Sequence, residues 1–222
     1  MIRYKNLYLV GTSHISKQSI KEVEKTILKV RPRFIAIELD KRRLRLLEDP
    51  GQNRLRLRDV KTLGLRGFLL NLIGAWFERR IGKKVGVEPG SEMKKAVELA
   101  KKLHIHLVLI DQDIKQTIKK FLNRITRREK LRFLKDLFIS NKDELPFDIK
   151  KVPSQKEIKK IINKVKKDYP SFYLTIIKER NEYMAQNICN LMKKYPQSKI
   201  VCVIGAGHEK DLIGEIKLRE KI

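Results

Sequence analysis

The sequence predicts an α/β fold: a mostly parallel central sheet with helices on both faces and two basic helical insertions. Three observations carry that expectation. Four short runs, Asn6–Val10, Arg33–Ile37, Ile105–Ile110 and Lys199–Ile204, are almost continuously apolar, as strands covered on both faces are, whereas half-exposed strands alternate. Helical periodicity fills the chain between them. The charge is unevenly spread: residues 41–84 hold 13 Lys or Arg against 4 acidic residues and residues 111–170 hold 18 against 9, so these stretches carry 18 of the 26 excess positive charges. A single domain spanning 1–222 is expected, with the insertions at about 41–84 and 113–167.

Each element has a local reason. The first run leads into Ser16–Val30, where Ile20, Val23, Ile27 and Val30 share one helical face and Pro32 stops the helix. With Arg33–Ile37 it makes one βαβ unit. Beyond Asp40 the pattern is helical again. Residues 52–82 set Leu63, Phe68, Leu72 and Trp76 among Arg and Gly, an amphipathic excursion whose glycines blur its ends. Pro89-Gly90-Ser91 turns the chain into a helix at Glu92–Leu103. The stretch 113–167 reads as helical with breaks at Pro146 and Pro153, and Ser154 and Glu157 stand at capping-box spacing. Tyr169–Tyr195 reads as one long helix, with Pro170 near its start and Pro196 past its end.

Composition excludes several classes. With 222 residues, 41% hydrophobic and 35% charged, the chain can bury a sizeable core and is not of disordered type. Cys189 and Cys202 are too few for a disulfide framework and suit a reducing compartment. The longest greasy stretch, Gly67–Phe77, falls short of the ~20 residues of a membrane span. The N-terminus lacks a signal-peptide core. A soluble, cytoplasmic and very basic protein is expected.

The most informative residues stand at the end of each apolar run: Gly11-Thr12-Ser13-His14, Glu38-Leu39-Asp40, Asp111-Gln112-Asp113 and Gly205-Ala206-Gly207-His208. In an open parallel sheet these lie on one edge, where ligands bind. Two histidines and several carboxylates there suit a divalent transition metal, which lowers the pKa of a bound water. Without a metal, His14 and a carboxylate could serve as an acid/base pair. A purely structural reading has the same groups capping helices and turns. His104 and His106 flank the start of a strand at the opposite edge and are set aside, and both thiols read as buried.

These residues resemble a known series. GTSHIS at 11–16, IELD at 37–40, PGSEMKKA at 89–96, DQDI with Thr117, ERNEYMA at 179–185 and GAGH at 205–208 resemble, in order, the motifs of the TraB family. That family includes the bacterial pheromone-shutdown proteins and is similar to the Tiki metalloproteases. The resemblance implies metal ligands at His14, His208, Glu38 and Glu92, and catalytic roles for Glu38, Glu92, Arg43 and Arg180. For Glu92 the alternative is a first-turn acid favoured by the helix dipole. Two departures stand out: Gln112 where the family usually has Arg, and Asn181 where it usually has Asp. The resemblance also implies membrane-spanning C-terminal segments in many members. Only 14 residues come after His208 here, so the chain reads as the cytoplasmic-facing soluble part of a membrane-anchored protein.

The expected function is a metal-dependent hydrolase acting on peptides, with Mn²⁺, Co²⁺ or Zn²⁺ as cofactor. The alternative is a regulator that sequesters a peptide in the same pocket without turnover. A third reading has the basic segments docking on an anionic membrane surface. Nucleic acid ranks below that, because no recognition motif is present and the cations are not interleaved with stacking aromatics. The oligomeric state is open, a homodimer included.

Overall fold

Every apolar run forms a strand; in the three inner strands alternate residues face two different helix layers, so neither face can be polar, while the fourth lies at the sheet edge and is partly covered. The computed structural model describes residues 1–12, 17–49, 90–139 and 155–221. Its strands are β1 (Ile2–Tyr4), β2 (Leu7–Thr12), β3 (Phe34–Ile37), β4 (His106–Leu109) and β5 (Ile200–Gly205). They are ordered β1-β2-β5-β3-β4, with β2, β5, β3 and β4 parallel. β1 is an addition to the expected sheet. It returns antiparallel onto β2 through Lys5, whose φ of 50° is left-handed, and three residues are too few to show a period.

The helices are α1 (Lys17–Val30), α2 (Lys41–Glu48), α3 (Ser91–Lys102), α4 (Ile114–Arg124), α5 (Arg127–Ile139), α6 (Gln155–Asp168), α7 (Pro170–Phe172), α8 (Glu179–Lys194) and α9 (Ala206–Arg219). The span read as one long helix is helical throughout but changes winding. Between α7 and α8, Tyr173–Lys178 is π-helical, a wider form that recurs at functional sites. Within the stretch read as helical from 113 to 167, a break at Ile125 and Thr126 separates α4 from α5. Gly90, with φ +86°, turns the chain into α3. The capping-box Ser154 and residues 50–89 of the first insertion lie outside the described residues.

Two cores sandwich the sheet. Leu7, Leu9, Phe34, Ala36, Ile200, Cys202 and Ile204 pack against Met184, Ile188 and Met192 of α8 and Leu212 and Ile216 of α9. Their neighbours Val10, Ile35, Ile37, Val201 and Val203 pack against Val23 and Ile27 of α1 and Met93, Ala96 and Ala100 of α3. Each buried Val, Leu, Ile, Phe or Met among them contributes about 1.5–3 kcal/mol by leaving water. Both cysteines are buried, and burial pushes their thiols up. His106 opens β4 and stacks on Phe34, away from the strand ends.

The topology fixes where chemistry can gather. α1 and α9 come after strands, while α3 and α8 precede them, so all four begin at the carboxyl edge of the sheet. There Thr12 pairs with Gly205, and Ile37 with both Val203 and Leu109. Gly11 permits the closest approach at this edge: a Cβ on it would stand 2.7 Å from Glu209 Oε2 and 2.9 Å from its Cδ. A side chain there would displace the Glu209 carboxylate from its place over β2.

Candidate functional site

Glu38 is the first residue past β3, so it opens onto the middle of the carboxyl edge, and it is 5% exposed. Its Oε2 accepts the backbone N–H of Gly205 at 2.7 Å, and its Oε1 accepts Arg180 Nη2 at 2.5 Å. Arg180 enters from the first turn of α8 and is itself buried. It also donates Nη2 to Asp111 Oδ2 at 2.5 Å, Nε to both Asp111 oxygens, and Nη1 to the Ile176 carbonyl of the π-helical turn at 3.2 Å. Burial works against the charged guanidinium, but Glu38 and Asp111 outweigh it and raise its pKa further.

The charge chain continues outward. Asp111 Oδ2 also accepts Arg43 Nη2, and Arg43 Nε donates to Asp40 Oδ2 at 2.8 Å. Asp40 caps α2 by accepting the N–H groups of Arg42 and Arg43, and it takes the N–H of Ile114 at the start of α4. Burial pushes the Asp40 carboxyl up, but the backbone N–H and guanidinium of Arg43 more than offset this and hold it below its usual value. The linked groups are three carboxylates and two guanidinium ions, an excess of one negative charge at the edge of the sheet.

His208 sits in the first turn of α9, with its side chain 12% exposed. Its Nδ1 lies 2.6 Å from Asn181 Oδ1, and Asn181 is 2% exposed. Its Nε2 stands 3.4 Å from Glu38 Oε1 and 3.4 Å from Arg180 Nη1. Two ligands at ~2.1 Å from one tetrahedral ion stand roughly 3.4 Å apart. His208 Nε2 and Glu38 Oε1 thus have the spacing of a ligand pair. Among the described residues no three His, Cys, Asp or Glu side chains form a metal-holding group, so a further ligand would come from elsewhere in the chain.

The order of these residues along the chain has a counterpart in known proteins. The sequence profile of the TraB/PrgY/gumN family matches residues 3–218. The chain belongs to this family. An uncharacterised protein of Methanocaldococcus jannaschii is 36% identical over 217 residues, covering 97% of this chain and 54% of that protein. The human and mouse TraB domain-containing proteins are each 23% identical, over 96% of this chain and 64% of theirs. The chain thus spans between half and two thirds of the length of these relatives.

Of the TraB-motif residues named from sequence, Glu38, Arg180 and His208 meet directly, and Arg43 joins them through Asp111. Glu92 lies in the first turn of α3, 1% exposed, at the same edge but in the helix layer opposite α8 and α9. His14 lies outside the described residues. Asp113 serves as the cap of α4, accepting the N–H groups of Lys115 and Gln116. Sequence reasoning placed Asp111 among the strand-end residues and noted Asn181 as a departure from the family pattern, but gave neither a partner. The signal for Asp111 was its place two residues past β4, at the carboxyl edge; for Asn181 it was adjacency to an arginine that enters the same pocket. The departure Gln112 is buried, and its Nε2 meets no hydrogen-bond partner among the described residues. Among those residues no helix is long and apolar enough to cross a membrane.

Proposed function

We propose that this TraB-family chain is a metal-dependent hydrolase acting on peptides. The observation that carries the reading is the pairing of His208 Nε2 and Glu38 Oε1 at 3.4 Å in a locus with excess negative charge. His208 and Glu38 would hold a divalent ion, with His14 completing the set by its motif, while Glu92 stands at the same edge in the opposite layer. Such an ion polarises a carbonyl and lowers the pKa of a bound water toward ~7. The chain's own groups prepare that place. Gly205 N–H and Arg180 hold the Glu38 carboxylate in one orientation, Asn181 holds the His208 ring, and Asp111 and Arg43 keep Arg180 from swinging away. The likeness to pheromone-shutdown proteins directs the choice of substrate to a peptide.

A second reading has support of its own. Arg180 Nη2 occupies the same Glu38 oxygen that faces His208, so the carboxylate is already engaged, which suits a site that captures a peptide without cleaving it. One experiment separates the two. Purified protein is assayed for bound metal, then treated with chelator and resupplied with Mn²⁺, Co²⁺ or Zn²⁺ while a peptide mixture is monitored by mass spectrometry. Cleavage that is lost on chelation, restored by metal and absent in His208→Ala and His14→Ala supports the hydrolase. Metal-independent retention of intact peptide supports the sequestering reading instead.

A further inference from the structure

Asn181 is next to Arg180 in the first turn of α8, and its side chain reaches across to α9. The 2.6 Å contact between Asn181 Oδ1 and His208 Nδ1 is short for a bond between neutral groups and joins two elements 27 residues apart. An amide oxygen can only accept, so the hydrogen in this bond belongs to the ring nitrogen. The other side of the ring agrees. Nε2 faces Arg180 Nη1 at 3.4 Å, and a guanidinium only donates. Glu38 Oε1, also 3.4 Å away, pulls the opposite way, but that oxygen already takes Arg180 Nη2 at 2.5 Å.

We propose that Asn181 is the positioning residue of this site: it fixes the His208 proton on Nδ1 and leaves Nε2 as the nitrogen presented to a bound metal ion. The metal-binding part of this inference rests on the function proposed above; the tautomer does not. Ligating histidines give their second N–H to a carboxylate, a backbone carbonyl or water, and that partner sets which nitrogen is free. Here a buried side-chain amide fills the role. It orients the ring without adding a charge to a locus that already holds three carboxylates. Because Asn181 and Arg180 share one helical turn, α8 fixes the ring and the Glu38 carboxylate together.

The test is a two-bond ¹⁵N–¹H correlation spectrum of the full chain, about pH 8, above the ordinary imidazole value of ~6.5. The chain has four histidines, and His208 is assigned by comparison with His208→Gln. The expected pattern is a protonated Nδ1 and a bare Nε2 in the native chain. Asn181→Ala should shift His208 toward the Nε2–H form that unrestrained histidines favour, and Asn181→Asp, which keeps the acceptor, should retain the native form. By calorimetry, Asn181→Ala should weaken Co²⁺ binding by roughly 10–100-fold, the range for loss of a ligand's hydrogen-bond partner. A native His208 in the Nε2–H form, or an Asn181→Ala spectrum unchanged from the native one, overturns the inference. A native Nδ1–H form in protein that takes up no Co²⁺ overturns the metal reading alone and leaves Asn181 as the residue that sets the tautomer.

Discussion

Arg180 is the cation shared by two buried carboxylates, Glu38 and Asp111, so removing it takes away their common counter-charge. Replacing one partner of a buried ion pair typically costs about 3–5 kcal/mol, because the survivor keeps its desolvation penalty. Arg180→Met, which preserves bulk, should therefore lower the unfolding free energy by at least ~3 kcal/mol in urea titrations; a loss below ~1 kcal/mol would show that the network is not coupled through this residue. Gln112 makes the opposite case. Its buried Nε2 meets no acceptor among the described residues, and such a group carries a penalty of ~1–3 kcal/mol. Gln112→Met should stabilise the chain by about 1 kcal/mol, read as a higher denaturation midpoint at unchanged slope. At this scale the sequence was half legible. Glu38, Asp111, Arg180 and His208 announce themselves by their place after strands or by motif. The partnerships of Asp111 and Asn181 come only from where Arg180 and His208 arrive, which depends on how α8 and α9 pack.

Among the elements, α5 shows how a helix start can escape notice. Thr126 and Glu129 form a capping box: Thr126 Oγ1 accepts the N–H of Glu129 at 3.2 Å, and Glu129 Oε2 accepts the N–H and hydroxyl of Thr126, each at 2.8 Å. The same carboxylate accepts Ser171 N–H and Oγ–H, each at 2.7 Å, and so ties α5 to α7. Burial pushes the Glu129 carboxyl up, but the four donors outweigh it and hold it below the ordinary 4.5. A carboxyl depressed in the folded state stabilises fully above its unfolded value and loses that contribution as pH falls through the folded one. Glu129→Gln should thus cost about 1–2 kcal/mol at pH 7, and the difference from the native chain should shrink below about pH 4.5. A difference constant from pH 7 to pH 3 would assign the cost to shape rather than charge. The Thr126–Glu129 spacing was present in the sequence but masked by the surrounding Arg and Lys, while Ser154 and Glu157 drew attention at the same spacing. Strands β3 and β5 were legible because both their faces are buried, and β2 nearly so, whereas the edge strand β4 is only partly covered. The π-helical turn was not, since Tyr173–Lys178 has the same apolar pattern a regular helix would show.

For the whole molecule the decisive quantity is a net charge of +26. It does not come from the sheet: on α6 alone Lys156, Lys159, Lys160, Lys164, Lys166 and Lys167 are exposed, and among the described residues that helix pairs Asp168 with Arg132 at 3.0 Å. Exposed like charges repel across a Debye length of ~30 Å at 0.01 M salt and only ~8 Å at 0.15 M. That repulsion destabilises the compact state more than the extended one. The ion pairs around Arg180 are buried and screened far less. Raising NaCl from about 0.01 M to 0.15 M at fixed pH should therefore raise the melting temperature, by ~2–4 °C for each kcal/mol of repulsion removed in a domain of this size. Lys160→Glu with Lys164→Glu should reproduce part of that gain at low salt and lose its advantage at high salt, because the same repulsion would be relieved by charge instead of by ions. Sucrose at matched osmolarity should not separate the variant from the native chain. A melting temperature indifferent to salt would mean that the basic helices are already neutralised within the fold, and the charge would then have to be explained element by element.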